Sequence, residues 1–173
     1  LNEQGVQVDV AEFEGHLAAV RGGLLTPGRV ESLERGVALY RGHFLDGYDF
    51  GWSVYERERL RLAHLASLEL LLRYHMERRE WLLAIQKGQA VLTQDPLREN
   101  VHRCLMACHN SMGNRPLAIR QYRECARILQ EELGIAPMEV TRELYRQIET
   151  GSARWTDALR RPDPMPMQGV NWR

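Results

Sequence analysis

Lysine is almost missing from this chain. Of 23 basic residues only Lys87 is a lysine and the rest are arginines. Guanidinium groups stack and bond bidentately where an ammonium does not, although a GC-rich genome produces the same bias. Net positive charge is missing too: the 23 bases meet 23 acids, which argues against DNA binding by this piece alone. No apolar run reaches the roughly 18 residues that a membrane span needs. Cysteine is confined to Cys104, Cys108 and Cys125, an odd number that leaves a thiol unpaired and fits a reducing, cytoplasmic setting. Leu1-Asn2 opens no charged, apolar, small-residue series of the secretory kind, and the chain reads as a fragment of something longer.

What is present is a 34-residue echo. Leu71 returns as Leu105, Ala84 as Ala118, and Ala84-Ile85 as Ala118-Ile119. That spacing is the period of a tetratricopeptide helix pair, in which a small residue lets two helices approach closely. Pro96, twelve residues after Ala84, stands where one unit turns into the next helix. With 44% hydrophobic residues in 173, a packed core is affordable for one ordinary domain or two small ones. The reading is an all-α, tetratricopeptide-like helical solenoid of about seven helices, an architecture that binds partners more often than it catalyses.

Punctuation places the helices. Val6, Val8 and Val10 alternate with polar residues, as the last strand of a preceding domain would. Asp9 with Glu12 then resembles a helix start, and Phe13, Leu17 and Val20 form a stripe that Gly22-Gly23 stops. Thr26-Pro27 opens a second helix with Val30, Leu33, Val37 and Tyr40 inward, ending at Gly42. Phe44, Leu45, Tyr48 and Phe50 imply a packed-down loop before a long helix from about Ser53, entered by the capping box Ser53-x-x-Glu56, to Arg78. Tyr55, Leu62 and Ala66 line one of its apolar faces, and Leu60, Leu65, Leu68 and Leu72 the other. Helices follow at about 81–93, 96–112, 115–133 and 138–148, broken at Asp95-Pro96, Gly113-Asn114 and Gly134 to Pro137. Residues 1–8 read as the remnant of a preceding domain or a linker, 9–149 as the domain, and 150–173 as a flexible tail rich in Pro, unless Trp155 or Trp172 docks it.

A resemblance rests on longer words. These are Ala38-Leu39-Tyr40-Arg41-Gly42-His43-Phe44-Leu45-Asp46-Gly47, Trp52, Glu56-Arg57-Glu58-Arg59-Leu60, Asp95-Pro96-Leu97-Arg98-Glu99, Leu105-Met106, Gly113, Ala118, Tyr122, and Glu131-Glu132-Leu133-Gly134-Ile135-Ala136-Pro137. In order and spacing the chain resembles the bacterial transcriptional activator domain of the Streptomyces antibiotic regulatory protein family and related regulators. The resemblance implies an all-helical domain following a winged helix-turn-helix, so that Leu1 to Val8 would be the exit from that DNA reader. It implies transcription regulation: dimerisation (self), contact with RNA polymerase, or restraint of the reader, with DNA bound through the missing domain. Two other readings stand beside it, a sensor binding a small anionic ligand such as a nucleotide, and a generic tetratricopeptide scaffold. The repeats are degenerate: Gly88 stands where an aromatic is usual, and Leu72 and Met106 replace a small residue.

Candidate chemistry is sparse. Charge is uneven, with four Arg against nine acids in 1–56, twelve bases against six acids in 57–123 and seven against eight in 124–173, so the acidic part can neutralise the basic middle. Cys104 and Cys108 are four apart near His102 and His109, but the histidines point to other sides of the helix, and buried thiols are expected rather than a metal site. His16, His43, His64 and His75 are scattered. No catalytic constellation assembles, so no enzyme activity and no cofactor are expected. Tyr40 to Leu45 with Trp52 reads as a structural junction. The one candidate site is the inner groove: registering Ala84 and Ala118 on the repeat puts Glu69, Arg73, Asn100, Arg103 and Asn110 on it. Arg73 and Arg103 would clamp a carboxylate or phosphate there, with the Asn amides completing the bonds, as in peptide-end recognition by other tetratricopeptide proteins. The competing reading is an intramolecular ion pair with Glu69 or Glu99.

Overall fold

A computed structural model describes residues 3–18, 25–40 and 51–154. Among them are seven helices and no strand: α1 (Glu3–Ala18), α2 (Pro27–Leu39), α3 (Gly51–Glu77), α4 (Trp81–Gln94), α5 (Glu99–Ser111), α6 (Arg115–Leu133) and α7 (Glu139–Thr150). The chain divides into two compact units, with the boundary between Leu71 and Leu72. No described helix is long and apolar enough to cross a membrane.

In the first unit α1 and α2 lie side by side. A Cβ at Gly36 would stand 2.9 Å from the His16 Cβ, so the missing side chain is what permits the close approach. His16 Nδ1 and Ser32 Oγ are hydrogen-bonded at 2.8 Å across the same seam. Phe13, Leu17, Val30 and Leu33 are buried there, and α3 adds Leu60, Leu65, Leu68 and Leu71. Arg59 of α3 pairs with Glu14 of α1 and with Glu56. The Tyr40 ring stacks on buried His64, centroids 4.2 Å apart.

In the second unit α5 is the centre, packed by α4, α6 and α7. Its residues 101–108 are buried without a break, as expected only of a helix covered on every side. The echo is visible in burial: Ala84 and Ala118 are both fully enclosed. Asn114 caps α6, its Oδ1 accepting from Leu117 N at 3.4 Å. Gly134, at φ 68°, ends the helix in the left-handed conformation that an L side chain disfavours.

Several expectations change. Val6, Val8 and Val10 lie inside α1, so they form no strand and Asp9 does not start the helix; period two over three residues is too short a signal against helical continuation. Helix α5 begins at Glu99 rather than Pro96. Asp95 is drawn to Arg98, Nε to Oδ2 2.9 Å, and the chain turns through Pro96 and Leu97. Helix α3 begins at Gly51, before Ser53. Tyr55 is 67% exposed and is not part of an inward face. The stop at Gly22-Gly23, the 41–50 loop with its aromatics, and the tail beyond Arg154 lie outside the described residues.

Candidate functional site

Helix packing decides what the expected groove residues can reach. Arg103 is 1% exposed and sits inside the second unit, where its Nη1 donates to Thr141 Oγ1 of α7 at 3.2 Å. The expectation that Arg103 faces a partner is therefore corrected: α7 lies against that side of α5. Glu69, in the first unit, is 5% exposed and is likewise withdrawn from solvent. Arg73, Asn100 and Asn110 are half-buried. Glu99, at the start of α5, accepts from the Met138 backbone N–H at 2.7 Å, which ties the entry of α7 to α5. A repeat register identifies the helix face but not what later chain packs on it.

Several arginines of the basic middle and of the helices after it are answered at short range. Arg61 pairs with Glu58, Arg78 with Glu80, Arg98 with Asp95, and Arg127 with Glu124 and Glu131. On α7 Arg142 and Arg146 share Glu139. Ion pairs this exposed contribute little stability, but they lower the positive charge that these arginines would offer a polyanion. The three thiols are buried, and burial pushes those of Cys108 and Cys125 up to about 12, where no reactive thiolate forms at neutral pH.

A second site lies where α4, α5 and α6 meet. A cavity of about 440 Å³ is lined by Gln89, His109, Leu117, Arg120, Gln121 and Glu124, within the size range of ligand pockets. Beneath it runs an ordered chain of hydrogen bonds. Buried His102 has Nε2 3.0 Å from the Pro96 carbonyl oxygen and Nδ1 2.6 Å from Gln121 Nε2. A carbonyl only accepts and an amide nitrogen only donates, so Nε2 carries the proton and Nδ1 accepts. Burial lowers the proton affinity of His102, in keeping with a neutral ring. The Gln121 amide is thereby held in one orientation, its Oε1 left as the free acceptor. His102 and Gln121 stand 19 residues apart on different helices, and no spacing rule in the sequence pairs them.

The comparisons with known proteins follow the same lines. The sequence model of the bacterial transcriptional activator domain matches residues 8–149. Regulatory protein AfsR of Streptomyces coelicolor is 28% identical over 116 residues, which cover 67% of this chain and 12% of that protein. The chain thus spans only a small part of the length of the relative it matches. No solved structure matches it.

Proposed function

The chain belongs to the bacterial transcriptional activator domain family, and from that premise we propose that it is the regulatory, protein-contacting part of a transcription factor. In this reading a winged helix outside the chain reads DNA, and the helical domain contacts RNA polymerase or a second copy of itself. The observation that carries the proposal is the family match across residues 8–149. It is supported by the all-α architecture and by large apolar side chains left on the surface. Leu82 and Leu83 of α4, Met112 after α5 and Leu117 of α6 are all exposed. Such side chains gain by burial against another protein. Arg73, Asn100 and Asn110 are what remains of the expected groove and are assigned to partner contact on the same terms.

The test is transfer of function. The chain is fused to an unrelated DNA-binding domain whose operator sits upstream of a weak promoter, and the purified chain is titrated with RNA polymerase holoenzyme. Raised transcription with direct polymerase binding supports an activating contact. If the fusion leaves transcription unchanged and the chain neither binds polymerase nor self-associates, the proposal fails. Leu82→Asp with Leu83→Asp should weaken whichever association is found while the helical circular dichroism stays intact.

A further inference from the structure

We propose that the second unit associates head to tail with a second copy of this chain, the end where α5 and α7 begin docking on the opposite end of its neighbour. This deepens the reading above and rests on its second-copy arm. A chain that stays monomeric yet binds polymerase would sink this inference alone.

Short connections fold α4, α5 and α6 back on one another, and α7 starts beside the start of α5, where the Met138 N–H meets Glu99. The helix termini therefore collect at two opposite ends of the unit. Among the described residues, the large apolar side chains that this unit exposes all stand at those ends and none in mid-helix. Leu97, Leu133, Ile135 and Met138 mark one end; Leu82, Leu83, Met112 and Leu117 mark the other. The outer sides of α6 and α7 instead carry ion pairs among their own residues. Apolar groups gathered at an end gain by burial when another surface covers that end.

Charge makes the two ends complementary. In residues 95–99 and 131–139 five acids stand against Arg98, whereas in 77–83, 111–117 and 148–154 four arginines stand against three acids. Helix α6 runs from one end to the other and is charged against its own dipole. Its first turn holds Arg115 and no acid, and its last turn holds Glu131 and Glu132 and no base, although a helix N-terminus favours an anion and a C-terminus a cation. A neighbour placed end to end answers both, because the acids then meet the arginine-bearing end of the next copy. Acidic end against acidic end would repel. Contact between two different surfaces is heterologous, so each pair keeps a free end on either side and assembly continues past the dimer.

The experiment is sedimentation velocity on the 173-residue chain over rising concentration. The expected result is species larger than a dimer that dissociate as salt is raised. Two variants each block one end: Glu131→Arg with Glu132→Arg, and Leu82→Asp with Leu83→Asp. Either should weaken self-association at least about tenfold while helical circular dichroism is kept. The reversal at 131 and 132 also puts cations at the α6 C-terminus, so it should not lower the melting temperature. Mixed in equal amounts, the two variants should form a dimer that grows no further, since each keeps the end that the other lacks. A chain that stays monomeric up to about 1 mM, wild-type assembly that stops at the dimer, or a variant that still self-associates as the wild type does overturns the proposal. So does a mixture of the two variants that yields no dimer.

Discussion

Gly88 shows how one missing side chain sets a helix spacing. A Cβ built there would lie 2.6 Å from Leu105 Cδ2 and 3.1 Å from its Cγ, and Leu105 is itself enclosed. The sequence marks Gly88 only as a departure from the usual aromatic; the structure explains it as the point where α4 leans on the recurring leucine. Gly88→Ala adds helical propensity but overpacks this contact. It should lower stability by about 1–2 kcal/mol in urea unfolding. In a Leu105→Ala background the same substitution should become neutral or stabilising, because the clash is gone. Equal effects in both backgrounds would disprove the steric account. The two alanines of the echo were legible for the same reason that Gly88 was not. Recurrence is a pattern in sequence, whereas a clash exists only between packed helices.

Among the elements, α7 has the clearest division of labour. Its buried residues Thr141, Leu144 and Ile148 face the unit, while Glu139, Arg142, Glu143 and Arg146 pair with one another on the exposed side. The Tyr145 ring stacks on Tyr122 of α6, centroids 4.1 Å apart. A helix with this polar outer face closes the second unit on that side. Thr141 supplies the hydroxyl that meets the buried Arg103 guanidinium. Thr141→Val keeps the shape and deletes that acceptor, so it should cost about 1–3 kcal/mol. Hydrogen exchange should place the loss in α5 and α7. Thr150→Val, at the exposed end of the same helix, should cost much less, and parity between the two would show that the Arg103 bond contributes nothing. The position of α7 as a helix was predictable from Gly134 and Pro137. That it covers Arg103 was not, because residues 103 and 141 are 38 apart in the chain.

For the molecule as a whole, buried histidine makes the fold acid-sensitive. His64 is buried beside Tyr40 and Phe13, and desolvation lowers its pKa from 6.5 to about 4. Below about 6.5 the unfolded chain takes up a proton that the folded chain refuses until about 4, so stability falls as pH drops through that window. The loss should reach roughly 3 kcal/mol for this group. His102 in the second unit is shifted in the same direction by burial and adds to the trend. Urea midpoints measured from pH 7.5 to 4.5 should show the decline, and His64→Asn should flatten part of it. An unchanged slope in that variant would mean that His64 is not excluded from water as described.

Sequence alone determined the class of molecule. Helical periodicity, the 34-residue echo of Leu71, Ala84 and Ala118, and local breakers such as Asn114 and Gly134 are properties of neighbouring residues. They predict seven helices, while the resemblance carried by longer words such as Ala38 to Gly47 and Glu131 to Pro137 is borne out by the family match over 8–149. Tertiary structure alone decided which polar groups are available. Arg103 was withdrawn by α7, Tyr55 was left outside, and Gln89, His109, Arg120 and Gln121 were gathered from three helices around one cavity. The physical reason is common to all of these: helix formation is governed by contacts three and four residues apart, whereas burial depends on partners tens of residues away.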